Sequence, residues 1–158
     1  MIPTAAPAAV RLRRLAPADV ARVTEIDARH RGRAVPEYWR RVATDFLTRD
    51  RERVRVALGA ELDGRLVGYV LGEVRAFEFG SEPCGWSFAV GVDPGLGRQG
   101  IGASLLGEAC RRFRRAGIGR VRTMVRRTDV PVLSYFRAHG FTAGEFTQLE
   151  LDLPPEER

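Results

Sequence analysis

A chain of 158 residues, 44% hydrophobic and 29% charged, is long enough for one domain with its own core. No apolar run approaches the ~18 residues of a membrane span, and Met1 to Ala9 lacks an apolar signal core, so a cytoplasmic protein with a loose tail over 1–9 is expected. The net charge is +6, but all 26 basic residues are arginine and they are scattered. That is a coding bias toward Arg rather than a phosphate-binding surface, and it argues against nucleic acid as partner.

The elements follow in chain order. Val10 to Leu15 alternates apolar residues with Arg and reads as a strand. Pro17 to His30 places Val20, Val23 and Ile26 three apart, as on a helix face. Pro36 opens a second helix, Glu37 to Thr48, with Trp39, Val42, Phe46 and Leu47 on one side. Val54, Val56 and Leu58 alternate with Arg53, Arg55 and Ala57 in a half-buried strand. Asp63-Gly64 signals a two-residue hairpin, and Leu66 to Ala76 is the returning strand. Trp86 to Val92 is a further strand. A Gly-rich turn leads from it to an amphipathic helix, with Ile101, Leu105, Leu106, Ala109, Cys110 and Phe113 on one face and Arg111, Arg112, Arg114 and Arg115 on the other. Arg120 to Val125 is a strand. Asp129 caps a short helix that Gly140 ends, and Phe146 to Leu153 is the last strand before the polar tail 154–158. The order β-α-α-β-β-β-α-β-α-β predicts an α/β fold of the α+β type, one mixed sheet covered by helices over residues 10–153.

The turn carries the chemistry. Gly95, Gly97, Gly100 and Gly102 fall within eight residues at a helix start. Such a turn bares backbone N–H groups, and a phosphate is the expected guest. The two cysteines and two histidines fall at no metal-ligand spacing, and neither a disulfide framework nor a local nucleophile motif is present. Gly95-x-Gly97-x-x-Gly100 also matches the dinucleotide-binding fingerprint, but Asp93-Pro94 interrupts the strand-to-helix turn and the acidic residue expected ~20 positions on is missing.

With Val92-Asp93-Pro94 leading into Gly97-Arg98-Gln99-Gly100-Ile101-Gly102, Leu105-Leu106 following and Gly140-Phe141 further on, the chain resembles the GCN5-related N-acetyltransferase (GNAT) superfamily over nearly its whole length. The resemblance implies a single GNAT-like domain and transfer of an acetyl group from acetyl-CoA to an amine by direct attack in a ternary complex. The pyrophosphate would sit over the N–H groups of Arg98, Gln99, Gly100, Ile101, Gly102 and Ala103. The pantetheine arm would pair with the backbone of Val90 and Val92. The acceptor would be a small-molecule or protein amine, with no membrane partner and a homodimer among the allowed assemblies. The chain departs from the family pattern at three places. The leading Gln/Arg is Gly97, the family's Asn is Asp129, and the family's Tyr falls on Phe136, with Tyr135 one residue earlier and rotated ~100° around the helix; the resemblance still implies that Asp129 and Phe136 stand beside the cofactor.

Two proton transfers need residues. A thiolate leaving group needs an acid, and a phenol of reference pKa ~10 serves one of ~8.5, which points to Tyr135. An acceptor ammonium must first lose a proton. The strand position where relatives place Glu is about Phe88, so Glu73 on the neighbouring strand, acting through water, is the candidate base. A catalytically degenerate fold that binds acyl-CoA without turnover is the alternative. The basic stretch Arg29, His30, Arg31, Arg33, with Arg40 and Arg41, suggests an acceptor bearing an acidic group.

Overall fold

The structure, a computed structural model, describes residues 9–48, 53–76 and 78–155; nearly all of the expected N-terminal tail and the last three residues of the C-terminal tail lie outside them. Asp63 and Gly64 take left-handed φ values of 49° and 76°, as a two-residue hairpin turn requires. They fold β2 (Arg55–Leu62) onto β3 (Arg65–Arg75). β1 (Val10–Arg14) joins the free edge of β2 and β4 (Cys84–Val92) joins that of β3, all antiparallel. The fifth strand, β5 (Val121–Arg122), lies parallel to β4, which demands a crossover. α3 (Ile101–Arg115) makes it. The result is a five-stranded mixed sheet in the order β1-β2-β3-β4-β5.

Both faces of the sheet are covered. Val56, Leu58, Ala60 and Val70 pack against Ile101, Leu105, Ala109 and Phe113 of α3. On the other face Tyr69 and Leu71 meet Val23 and Ile26 of α1 (Val20–Arg31) and Trp39 and Phe46 of α2 (Pro36–Phe46). This double burial is why Leu66 to Leu71 reads as a continuous apolar run instead of an alternation. α4 (Val130–Ala138) closes the described helices.

The expected helices are present, and all expected strands but the last. Two corrections concern the C-terminal third. The strand expected over 120–125 is reduced to Val121–Arg122. The last strand expected over 146–153 does not form: Leu149, Leu151 and Leu153 are 88%, 84% and 81% exposed. Alternation supplies the period of a strand but not an edge to pair with, and a two-residue β5 offers almost none.

α3 packs tightly on the strands beneath it. A Cβ on Gly85 would lie 2.7 Å from the Phe113 ring, and one on Gly72 2.9 Å from it. Gly85→Ala is therefore expected to destabilise the fold by about 1–3 kcal/mol, the usual cost of overpacking. Phe113→Leu in that background should recover part of the loss, as read by urea unfolding of the two variants.

Candidate active site

β4 has strands on both sides for only part of its length. β5 pairs with it at Gly85 and Trp86 alone. Two residues further on, β4 bulges: Leu71 faces Ala89 and Gly72 faces Ser87, leaving Phe88 without a partner on β3. Past the bulge the Asp93 N–H donates to the Val67 carbonyl at 2.8 Å, with Val92 opposite Gly68 and Val90 opposite Val70. In an antiparallel ladder the backbone groups of alternate residues point to opposite sides. Those of Val90 and Val92 therefore face away from β3, into the gap where β5 has diverged. An extended chain laid in that gap would find strand-like partners.

The gap leads to the Gly-rich turn. Arg98 and Gly100 adopt left-handed φ values of 65° and 76°, a concave arrangement of N–H groups. Gly100 is the N-cap of α3 and provides no side-chain cap. The first intrahelical bond is from Ser104 N–H to the Gly100 carbonyl, at 3.0 Å, so the N–H groups of Ile101, Gly102 and Ala103 have no intrahelical partner. Arg98 and Gln99 are exposed beside them, whereas Ile101 and Ala103 are buried and anchor the turn to the core. Positive helix-end charge and open N–H groups together suit a phosphate.

α4 delivers Tyr135 to the same place. A Cβ on Gly102 would lie 3.1 Å from the Tyr135 hydroxyl and 3.5 Å from Val92 Cγ2, so these three residues meet at the start of α3. The hydroxyl oxygen is buried and has no hydrogen-bond partner among the described residues. Burial pushes the phenol above its ordinary pKa, with Cys110 adding to the effect, so it stays protonated. Phe136, the residue aligned with the family's Tyr, is 5% exposed and packs edge-on against Phe141 and Tyr135. Phe136 belongs to the core, and it is Tyr135 that reaches the helix start. Asp129 Oδ1 accepts from Val132 N–H at 3.2 Å and so caps α4.

Glu73 lies on the face of β3 toward α1 and α2, opposite Trp86 and so two residues from the bulge. It is paired with Arg75 at 3.3 Å, and Arg75 in turn stacks on Trp86. The structure thus brings Val92, Gly102 and Tyr135 together, with Val90 further along the same strand, and leaves Glu73 near the bulge on the opposite face.

Sequence reasoning missed what fastens the turn. Asp93, 7% exposed, accepts from Gly95 N–H at 3.1 Å, from Arg29 Nη1 at 2.5 Å and from Arg22. Arg22 also donates to the Leu66 carbonyl at 3.0 Å, and His30 Nε2 donates to the Val92 carbonyl at 2.7 Å. α1 therefore clamps the end of β4 from below. The Asp-Pro pair was a visible signal, but its arginine partners stand 71 and 64 residues away. Arg31 is bound to the buried Asp27, which also accepts from the Trp39 indole. Two arginines of the basic stretch are thus neutralised, and the expected attraction for an acidic acceptor weakens. Ser87, next to the bulge, has a buried hydroxyl with no partner among the described residues.

Burial pushes the Asp93 carboxyl up, but the Gly95 N–H, Arg22 and Arg29 outweigh it and hold the carboxyl below its ordinary value. A carboxyl lowered in the folded state stabilises above its unfolded pKa of ~3.9, and that contribution disappears as pH falls through the folded value. Asp93→Asn should therefore be clearly less stable than wild type at pH 7, with the gap narrowing from pH 4 downward in urea titrations.

Among the described residues, no helix is long and apolar enough to cross a membrane, and no group of His, Cys, Asp or Glu could hold a metal ion. The model of the acetyltransferase (GNAT) family matches residues 20–141. A mycothiol acetyltransferase of Saccharomonospora viridis is 31% identical over 91 residues, 56% of this chain and 30% of that protein. The chain thus spans under a third of that relative's length. Among solved structures, an aminoglycoside acetyltransferase, meta-AAC0020, from an uncultured soil metagenomic sample in complex with trehalose has a TM-score of 0.71 at 19% identity, over 92% of this chain and 97% of that one. Aminoglycoside N-acetyltransferase AAC(6')-Iy in complex with CoA has a TM-score of 0.76 at 13% identity, over 96% and 99%. The splayed β4, the open start of α3 and a family match across three quarters of the sequence lead to one assignment: the chain belongs to the GNAT acetyltransferase family.

Proposed function

We propose that this protein transfers an acetyl group from acetyl-CoA to an amine. The observation that carries the reading is the Tyr135 hydroxyl, buried and unpartnered between the first turn of α3 and Val92. Native proteins rarely leave such a group unpaired without a functional reason. The pyrophosphate binds the N–H groups of Arg98, Gln99, Gly100, Ile101, Gly102 and Ala103. The pantetheine arm runs along the gap beside Val90 and Val92 toward the bulge at Phe88. His30 already donates to the Val92 carbonyl, so Val92 has its N–H left for the donor and Val90 has both groups. A relative of similar fold is described in complex with CoA, which supports this donor.

The acceptor is an amine of a small molecule or a protein; relatives named for aminoglycoside acetylation favour the small molecule. Its lone pair attacks the thioester carbonyl carbon and a C–N bond forms. The C–S bond then breaks, and the sulfur takes the proton of the Tyr135 hydroxyl, which solvent replaces. The ammonium proton leaves to water that Glu73 polarises from the α1–α2 face.

A second reading, donor binding without turnover, is favoured by Glu73 being paired with Arg75 and by the apolar residue at the bulge. Thiol release with acetyl-CoA and a panel of amines separates the two. Under the catalytic reading at least one amine releases thiol above the hydrolysis rate; no release across the panel, with acetyl-CoA binding intact by calorimetry, supports the other.

Tyr135→Phe should lower kcat by about 10²-fold, the lower end for loss of a general acid, with KM for acetyl-CoA changed less than about threefold. Equal turnover in variant and wild type would leave water as the donor.

A further inference from the structure

The last turn of α4 leaves a carbonyl that the main chain does not serve. In a continuing α-helix the Tyr135 carbonyl would accept from the N–H of residue 139. Here the helix ends at Ala138, and the His139 N–H donates to the Phe136 carbonyl at 3.0 Å instead. Gly140, at a left-handed φ of 87°, then turns the chain away. The His139 imidazole takes over the open carbonyl: its Nδ1–H donates to the Tyr135 oxygen at 2.6 Å. A helical side chain leans back toward the residue four positions earlier, and this hydrogen bond fixes the imidazole there. The His139 ring centre lies 4.5 Å from that of Tyr135, with the planes tilted by 47°. Phe136, buried in the core, stands edge-on to the Tyr135 ring at 5.1 Å. Two rings of its own helix therefore pack against Tyr135.

The far end of the Tyr135 ring has no such hold. Its hydroxyl is buried beside Gly102 and Val92 with no hydrogen-bond partner among the described residues. With nothing fixing the tip, the place of the hydroxyl is set by what packs on the ring. We propose that His139 is the positioning residue of Tyr135: bonded to the Tyr135 backbone and packed on its ring, it aims the hydroxyl at the start of α3. The catalytic consequence rests on the acid role given to Tyr135 above. Phe136 meets the ring only edge-on and is itself committed to Phe141 and the core. A phenol swung to another rotamer would carry its hydroxyl well away from Val92, and a misplacement of about 1 Å at a reacting group can cost up to ~10²-fold. His139 thus does two separable things. The carbonyl needs a donor, and the phenol needs a wall.

Three variants separate them. His139→Ala removes donor and ring, His139→Asn keeps a donor without the ring, and His139→Phe keeps a ring without the donor. In thiol-release kinetics, His139→Ala and His139→Asn are expected to lower kcat about tenfold, with KM for acetyl-CoA changed less than about threefold. His139→Phe is expected to recover most of that loss. A second readout needs no turnover. The chain has three tyrosines, Tyr38, Tyr69 and Tyr135. Fluorine NMR of protein labelled with 3-fluorotyrosine gives one line for each, and Tyr135→Phe identifies the third. The Tyr135 line is expected to move and broaden in His139→Ala and His139→Asn and to return toward its place in His139→Phe. Tyr38 and Tyr69, packed on Trp39 at the other face of the sheet, are expected to keep their lines. A Tyr135 line unmoved by His139→Ala overturns the proposal, and so does movement of all three lines alike. Wild-type line and turnover in His139→Asn but not in His139→Phe would make His139 a helix cap only, which also overturns it. If Tyr135→Phe turns over like wild type, the acid role falls, and the fluorine lines alone decide whether His139 sets the ring.

Discussion

The arrangement depends on one strand losing a neighbour. β4 is held from both sides at Gly85 and Trp86 and from one side only beyond the bulge at Phe88. A strand edge exposed inside a sheet would normally close or collect another chain. Here it is kept open by what stands around it: α1 bound to Asp93 and Val92, the start of α3 at Gly102, and Tyr135 from α4. The gap runs along β4 from the bulge to the Gly-rich turn.

Net charge says little about local potential in this chain. Although it carries +6, many arginines are matched to carboxylates: Arg13 to Asp19 and Glu61, Arg22 and Arg29 to Asp93, Arg31 to Asp27, Arg111 and Arg112 to Glu108. Pairs that are mostly exposed contribute ~0–1 kcal/mol each. Those on Asp93 and Asp27 matter more, because the carboxylates are buried and each arginine comes from α1. The absence of lysine suits this use, since a guanidinium holds several acceptors at once where an ammonium is a point charge. Arg22 does so, bridging the Leu66 carbonyl, Glu25 and Asp93.

Local signals were legible in the sequence and distant ones were not. The Asp63-Gly64 turn, the helix faces and the Gly-rich turn are each specified within a few residues, and they formed where the pattern put them. The last strand failed because alternation describes a side-chain period and says nothing about an available edge. At the site, the backbone roles expected for Val90 and Val92 came from a resemblance; what the register adds is that their backbone groups face away from β3. The choice between Tyr135 and Phe136 could not be made from alignment. It turns on the ~100° step between adjacent helical residues and on which of them α3 leaves room for. Gly102 makes that room. The Asp93 clamp was invisible because its partners are distant in sequence and close only after α1 has packed on the sheet.

Phe113 adds a consequence at the other end of α3. Its ring lies against Gly85 and Gly72, where β4 still has both neighbours, while Gly68 meets Ile101 and Leu105 near the start of the helix. α3 is therefore seated at both ends and cannot slide along the sheet. The distance from the Gly-rich turn to the bulge becomes a fixed length, set by how α3 is seated on the sheet. Under the proposed function that fixed length would act as a ruler: a donor would be selected by the span between its anionic head and its reactive carbon, and a group of the same chemistry on a shorter or longer arm would present its carbonyl out of line with Tyr135.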